Sequence, residues 1–550
     1  MVSRARNTEV DAYVFIKEQL RDLGWDTRNP ARHAEGQVYT QNECLNDDEI
    51  RKHLVLDKPE SIVRLSETRL WVIEAKRDRA QMEQAHSEAV NYALKLNNST
   101  ALQAVLVSGV AGNDSDDYLV KSSFMQDGYF QSVTLNGREA TGLLSPQIIR
   151  ILLGTGRAAI ADVPVDESLF LASAEKINSY LHDGGINKNV RARVMAALLL
   201  SLAGDTQPNV DAEPQVLIND INSRAKSILA TNRKEEFYAY VQISLPTSPD
   251  NHYNFKGALV KTLRELNNLN IRSAMNSGTD VLGKFYEVFL KYGNGAKEIG
   301  IVLTPRHITR FAAEITGVSQ QDIVLDPTCG TGGFLVAAFD YVRRNSTPEQ
   351  TDRFKQNSLF GIEEQSEVVA LAIVNMIFRG DGKNNIIEGN LFRKSVVPHT
   401  SNGAPTAKFI NGEPTNSDRA VTKVLMNPPF ALKQSDQMEF RFVQRALDQM
   451  SHGGLLFTIL PASVLFEEGE QKEWRKNRLL GENTLLSVIT FPPELFYPVG
   501  VHTLGVVVRK GTPHPAGQRV LWIRAIRDGH AKLKGKRLRH PCEPDDFVQV

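Results

Sequence analysis

Asp326-Pro327-Thr328-Cys329-Gly330-Thr331-Gly332-Gly333-Phe334 lies between two apolar runs, Ile323-Val324-Leu325 before it and Leu335-Val336-Ala337-Ala338-Phe339 after it. The pattern predicts strand, glycine turn, helix. Glycine accepts positive φ and lets the backbone approach a ligand closely, and a helix start carries N–H groups without helical partners. About a hundred residues later, Val424-Leu425-Met426-Asn427-Pro428-Pro429-Phe430 answers with a second apolar strand and an abrupt stop. Alternating strands and helices from Ile323 onward predict an α/β domain with a parallel sheet covered by helices. Ligands of such sheets sit beyond the carboxyl ends of the strands, where Asp326, Glu363 and Asn427 fall. A glycine turn alone is common packing. Asn-Pro-Pro-Phe straight after a buried strand is far more specific; its plain alternative is an ordinary Asn-Pro turn.

In this order and spacing the two stretches resemble the N6-adenine DNA methyltransferases, in particular the modification subunit of type I restriction systems. Gly278 to Thr309 resembles the segment leading into that family's catalytic domain, and Leu460 to Lys510 resembles its last strands. The resemblance covers roughly residues 165–540. It implies a doubly wound, Rossmann-like domain that takes S-adenosyl-L-methionine, wrapped by Asp326, Thr328, Gly330, Thr331, Gly333 and Phe334. Thr304 and Pro305 would line the methionine end of the pocket; equally, Pro305 can open a helix that Thr304 caps. Glu363, closing the strand Ser358 to Glu363, would accept the ribose hydroxyls, with Glu364 a solvated neighbour. Asn390 stands where relatives carry an acid and would bond the adenine edge, Asp381 being the alternative acid.

The chemistry implied by the resemblance lies at Asn427 to Phe430. The adenine N6 amine is a poor nucleophile because its lone pair is delocalised into the ring. The Asn427 side-chain oxygen and the Pro428 carbonyl would draw it toward tetrahedral geometry. Two prolines contribute no N–H, so acceptors dominate. Phe430 would stack on a base that has left the duplex, which costs a few kcal/mol in unstacking. The transfer requires no metal and no covalent enzyme intermediate. His502, in a turn, reads as polar surface.

The N-terminal part carries a different pattern. Glu9 to Leu23 spaces Val10, Tyr13, Val14 and Leu20 as an amphipathic helix stopped by Gly24. Lys58 to Leu65 and Leu70 to Lys76, around a turn at Ser66 to Thr68, predict a hairpin. Residues two apart share a strand face, so Glu74 and Lys76 point together and Glu60 can meet them. Two acids holding Mg²⁺ through oxygen, with a lysine positioning the attacking water, suit metal-assisted phosphodiester hydrolysis. Pro59-Glu60 with Glu74-Ala75-Lys76 resembles the PD-(D/E)XK nuclease core at the N-terminus of type I restriction subunits. Glu60 replaces the usual Asp, and the following helix, Ala80 to Leu94, offers Gln84, Glu88 and Tyr92. The plain alternative is a hairpin carrying ordinary charges. Glu43 reads as a capping acid. Between these parts, residues 168–181, 189–202, 215–230 and 254–267 predict an all-α region, and Thr279 to Gly300 joins it to the catalytic domain.

Composition bounds the partners. Lys+Arg and Asp+Glu are both 64, so net charge is zero and a DNA-binding surface must be local. Three scattered cysteines suit a reducing, cytoplasmic prokaryotic setting, and no apolar run is long enough for a membrane span. Arg519 to His540 holds eight Lys/Arg against one acid, Asp528; this is either a phosphate-contacting patch or a solvated face beside a partner subunit. The tail is too short for a target-recognition domain, so a separate specificity subunit is expected to read double-stranded DNA in a hetero-oligomer. The expected limits are 1–157 for the nuclease-like domain, 158–299 for the helical domain, 300–512 for the methyltransferase and 513–550 for the basic tail. This arrangement resembles the catalytic subunit of type IIB enzymes of the BcgI kind. The alternatives are a type I-like or other phage-defence methyltransferase subunit whose nuclease-like domain only binds DNA or partners, and a non-catalytic DNA-binding scaffold.

Overall fold

The computed structural model describes residues 9–113, 117–161, 163, 167–204, 206–276, 304–378, 385–397, 406–409, 420–430, 438–496, 500–533, 536–540 and 542–549. Two compact units divide the chain. The first holds Met1–Arg191, Ala197–Arg224 and Ile243–Phe289; the second holds Ala192–Ala196, Ala225–Gln242 and Leu290–Val550. The expectations for Thr279 to Leu303 and for Asp381 lie outside the described residues.

In the first unit, β1 (Val38–Thr40), β2 (Ser61–Arg64), β3 (Arg69–Lys76), β4 (Gln103–Asn113), β5 (Asp117–Gln126) and β6 (Tyr129–Ser132) lie across one sheet in chain order. The expected hairpin is β2–β3, with Ser61 opposite Ile73. β3 and β4 run parallel, which requires a crossover. Of the helices α1 (Glu9–Asp22), α2 (Asp48–Leu54) and α3 (Met82–Leu96), the last makes it. Strand alternation then sorts the side chains. Trp71, Ile73 and Ala75 pack with Ile16 and Leu20 of α1, while Leu70 and Val72 pack with Ala89 and Ala93 of α3. Glu74 and Lys76 share the α3 face. Gly109 on β4 permits the close approach of α3, because a Cβ there would lie 2.5 Å from the His86 backbone nitrogen. Trp71 is fully buried, and its indole N–H donates to Ser108 Oγ at 2.9 Å; a bare buried donor would cost about 1–3 kcal/mol. The four expected helices form as α4 (Glu167–Asp183), α5 (Lys188–Ala203), α6 (Pro214–Thr231) and α7 (His252–Asn268). Within the first unit Ser173 on α4 donates to Glu265 on α7 at 2.6 Å.

Among the described residues the main sheet of the second unit has eight strands: β7 (Val324–Asp326), β8 (Leu359–Glu363), β9 (Asn385–Glu388), β10 (Val421–Met426), β11 (Met450–Pro461), β12 (Thr484–Thr490), β13 (Thr503–Arg509) and β14 (Leu521–Arg524). Their order is β9-β8-β7-β10-β11-β13-β12-β14. From β9 to β11 all pairings are parallel. β13 is antiparallel to both neighbours, and β14 adds in parallel to β12. The unit's helices include α8 (Arg306–Ile315), α9 (Gly333–Asn345), α10 (Ser366–Phe378) and α11 (Glu439–Asp448). Val424, Leu425 and Met426 on β10 are all fully buried, as a strand covered on both faces requires. The chain leaves β7 toward β8 and β9, then returns to β10 on the other side. The β7/β10 boundary is therefore the switch point where such sheets open a crevice. The tail past Pro513 is not an appendage, since β14 extends this sheet.

Candidate active sites

Asp326, Glu363 and Asn427 all stand at the carboxyl ends of strands of this sheet. Asp326 ends β7 and is buried. Its Oδ1 accepts the Thr328 N–H at 3.2 Å, folding the loop back on itself. Gly330 and Gly332 take φ of +52° and +84°, which bulky residues avoid. Among the described residues, and apart from its chain neighbours, no heavy atom lies within 4 Å of a Cβ built on Gly330, and on Gly333 the nearest is Thr309 Cγ2 at 3.7 Å. Gly333 is thus held to glycine by neither φ nor packing, and the open space beside the loop is a cradle that side chains would fill. Thr331 and Phe334 are buried, and the Thr331 carbonyl accepts from Asn375 Nδ2 of α10 at 3.0 Å. Glu363, at the end of β8, accepts the N–H groups of Gly330 at 3.1 Å and Gln365 at 3.0 Å. Burial pushes the Asp326 carboxyl well above the carboxylate range despite the Thr328 N–H, and burial also raises Glu363. Two such carboxylates gain from a ligand bringing hydroxyl donors or positive charge.

Asn427 follows β10 directly. Its Nδ2 donates to Thr304 Oγ1 at 3.0 Å, and its carbonyl accepts from Thr328 Oγ1 at 3.3 Å. The bond from Nδ2 to Thr304 leaves the Asn427 Oδ1 on the opposite side of the amide. Pro428 and Phe430 are buried, and Phe430 meets Phe496 edge to face with centroids 5.9 Å apart. The capping expected of Thr304 is not made: the residue preceding α8 is Pro305, with no side-chain cap. Asn390 closes its own turn, accepting the Phe392 N–H at 2.8 Å and donating to Glu364 at 3.2 Å. Glu364, read as merely solvated, is therefore its partner. His502 is exposed, as read.

The sequence family described as N-6 DNA Methylase matches residues 277–543. The type II restriction enzyme and methyltransferase RM.BcgI of Heyndrickxia coagulans is 30% identical over 476 residues, covering 81% of this chain and 71% of that protein. The chain belongs to the N6-adenine DNA methyltransferases of restriction–modification systems. The type I restriction enzyme EcoEI methylase subunit of Escherichia coli is 27% identical over 48% of this methyltransferase and 53% of that subunit, so the chain spans about half of that relative. A solved type I restriction-modification methyltransferase subunit from Streptococcus thermophilus aligns over 70% of this chain and 92% of its own, at 17% identity and a TM-score of 0.45. Membership of this family implies S-adenosylmethionine as the cofactor. No helix among the described residues is long and apolar enough to cross a membrane.

The first unit of the methyltransferase gathers a second polar cluster. Glu60, just before β2, and Glu74 on β3 are both buried. The Glu60 N–H donates to Glu74 Oε2 at 3.2 Å, and Gln41 Nε2 holds Glu60 Oε2 at 2.6 Å. Lys76 Nζ lies 3.1 Å from Glu74 and 2.5 Å from Glu88 of α3. Gln84, one turn earlier on α3, donates to Glu88 at 2.9 Å. Burial pushes the Glu74 carboxyl up to about 7, against the pull of Lys76. Burial works against the Lys76 charge, but Glu88 and Glu74 outweigh it and hold the ammonium above its ordinary range. The three expected residues thus converge. Gln41 and Asn375 were not singled out in the sequence, where nothing local marks a single amide that bonds a distant segment. Glu43 does not cap a helix; its carboxylate accepts from Thr40 Oγ1 at 2.7 Å.

Proposed function

We propose that this methyltransferase moves the methyl group of S-adenosylmethionine to N6 of an adenine turned out of double-stranded DNA. We further propose that its first unit is a Mg²⁺-dependent nuclease acting on unmodified DNA, with the target read by a separate specificity subunit in a hetero-oligomer. The observation that carries the reading is the meeting of Asp326, Glu363 and Asn427-Pro428-Pro429-Phe430 at the switch point of the sheet.

S-adenosylmethionine supplies an electrophilic methyl on its sulfonium. Glu363 accepts the ribose hydroxyls, and the loop from Asp326 to Phe334, with Thr304 and Pro305, encloses the methionine end. Asn390, already tied to Glu364, is left only a peripheral part at the adenine. Asn427 Oδ1 and the Pro428 carbonyl accept the two N6 hydrogens and localise the lone pair on nitrogen. The Thr304 bond to Nδ2 keeps the amide in the accepting orientation. Phe430 stacks on the extruded base, replacing part of the stacking lost from the duplex.

In the first unit the donor set fits a hard divalent cation. Two buried carboxylates offer oxygen ligands, and Glu74, raised by burial, gains most from a neighbouring positive charge. Glu60 and Glu74 would hold Mg²⁺, which supplies Lewis-acid polarisation and a more acidic water. Lys76, fixed by Glu74 and Glu88, positions that water. The BcgI relative, named as both restriction enzyme and methyltransferase, supports this half of the proposal. A second reading, a methyltransferase subunit with an inert nuclease-like domain, is favoured by the ion pairs that engage Lys76 on both sides.

The test uses the complex formed when the chain is co-expressed with its genomic neighbours. Unmodified DNA, Mg²⁺ and S-adenosylmethionine are incubated together, and strand cleavage and N6-methyladenine are scored in the same tubes. Cleavage lost in Lys76→Ala with methylation retained supports both activities. Methylation without any Lys76-dependent cleavage would move the first unit to the second reading.

A further inference from the structure

The tail returns to the start of α8 through β15 (His530–Leu533), paired antiparallel with β16 (Lys536–Arg539). There His307, in the first turn of α8, faces His530, with ring centroids 4.4 Å apart. Asp528 reaches both: its Oδ2 is 2.9 Å from His307 Nε2, and its Oδ1 is 3.7 Å from His530 Nδ1. His530 Nδ1 also lies 2.7 Å from the Asp528 carbonyl. The Asp528 side chain is wholly buried, whereas the imidazoles keep 15% and 17% of their surface. One ligand-type atom from each residue lies within 4.8 Å of the other two. None of the three takes part in the methyl transfer or the cleavage described above.

We propose that His307, Asp528 and His530 bind a divalent transition-metal ion of the zinc class, which pins the C-terminal segment to α8. The donor set is two imidazole nitrogens and one carboxylate, a combination that selects first-row ions over Mg²⁺ and Ca²⁺. Tetrahedral zinc with bonds of about 2.0–2.1 Å sets its ligands roughly 3.4 Å apart. One ligand atom from each of the three residues already lies within 4.8 Å of the others. Gly529 is what lets Asp528 and His530 turn to the same point: its φ is +72°, and a Cβ there would press on the Asp545 carboxylate at 3.3 Å. Phe547 walls one side, 6.1 Å from the His307 ring and 5.0 Å from Phe311. The exposed edges of the histidines give an ion an entry path and leave the fourth position to water. Residues 307 and 528 are far apart in the chain, so a shared ion closes a long loop, the case in which a cross-link restricts the unfolded chain most. Because His307 follows Thr304 and Pro305, the ion also steadies the start of the helix next to the methyl-transfer crevice.

The test uses the full-length chain, purified without a histidine tag and stripped with chelator. Co²⁺ serves as a spectroscopic probe, and bound Zn²⁺ is counted by mass spectrometry after desalting. The wild type should take up one more Co²⁺ per chain than His530→Ala, with visible absorption bands that Zn²⁺ displaces, and Zn²⁺ should raise its Tm. Asp528→Asn and His530→Ala should abolish both the bands and the Tm shift, while Glu74→Ala retains them. His530 lies on the hairpin rather than in the core, so its variant decides the matter if Asp528→Asn does not fold. Equal uptake by wild type and His530→Ala overturns the proposal. So does the absence of Zn²⁺ uptake by wild type at micromolar free ion, which would leave a hydrogen-bonded His–Asp–His cluster.

Discussion

Glu74→Gln removes a charge that the fold of the first unit resists. Burial raises the Glu74 carboxyl from 4.5 to about 7, so the folded chain holds this proton more tightly than the unfolded chain does. The resulting stabilisation is complete below pH 4.5 and is lost as the pH climbs through about 7. At about 1.4 kcal/mol per pH unit, the rise amounts to about 3 kcal/mol, the cost of an ionised Glu74 at pH 8. Gln matches the protonated carboxyl in shape and keeps an acceptor for the Glu60 N–H. Urea unfolding without divalent cations should therefore find Glu74→Gln close to wild type at pH 5. At pH 8 the variant should be more stable by about 3 kcal/mol. Mg²⁺ at pH 8 should narrow the gap, because only the wild type keeps both carboxylates. A variant less stable than wild type at pH 8 refutes the reasoning: the attraction between Glu74 and Lys76 would then outweigh the burial of the charge.

Thr304→Val should lower kcat for methylation about tenfold, the loss expected when one hydrogen bond orienting the Asn427 amide is removed. Cofactor affinity should change little, and Thr304→Ser should restore the rate; a fall in affinity alone would make Thr304 only a pocket wall. Glu363→Gln should weaken S-adenosylmethionine binding about 10- to 100-fold in calorimetry, since hydrogen bonds to a charged acceptor are worth about 1.5–3 kcal/mol. Unchanged affinity would remove Glu363 from the pocket. Gly109→Ala should push α3 off β4, because its Cβ would meet the His86 backbone. The expected cost is about 1–3 kcal/mol, with cleavage lost and methylation retained; a variant with normal stability and cleavage contradicts this.

Local patterns in the sequence carry much of this structure. The hairpin of β2 and β3 is legible because alternation and a short turn suffice, and that alone brings Glu60, Glu74 and Lys76 together. The Asp326 loop and Asn427-Pro428-Pro429-Phe430 are legible because each is a strand followed by an abrupt turn. What the sequence hides are pairings between distant segments. Thr304 reads as a cap or a pocket wall, yet its hydroxyl accepts from an amide over a hundred residues away. Asn390 reads as a contact to the cofactor's adenine edge, but short turns favour Asn bonding its own backbone two residues on, and it does so at Phe392. The tail reads as a basic stretch after a break, whereas Leu521–Arg524 finds an open edge beside β12. Asp528, counted there as the lone acid among cations, is buried between two histidines. No local pattern announces any of these.

The most direct test of the central claim is methyl transfer by Asn427→Ala, measured beside cofactor binding by the same protein. The account predicts a loss of N6-methyladenine formation of at least 10²–10³-fold, the range seen when a group aimed at the reacting atom is removed. S-adenosylmethionine affinity and Lys76-dependent cleavage should stay near wild type. Methylation near the wild-type rate in Asn427→Ala would contradict the assignment of the crevice between β7 and β10 as the site of chemistry.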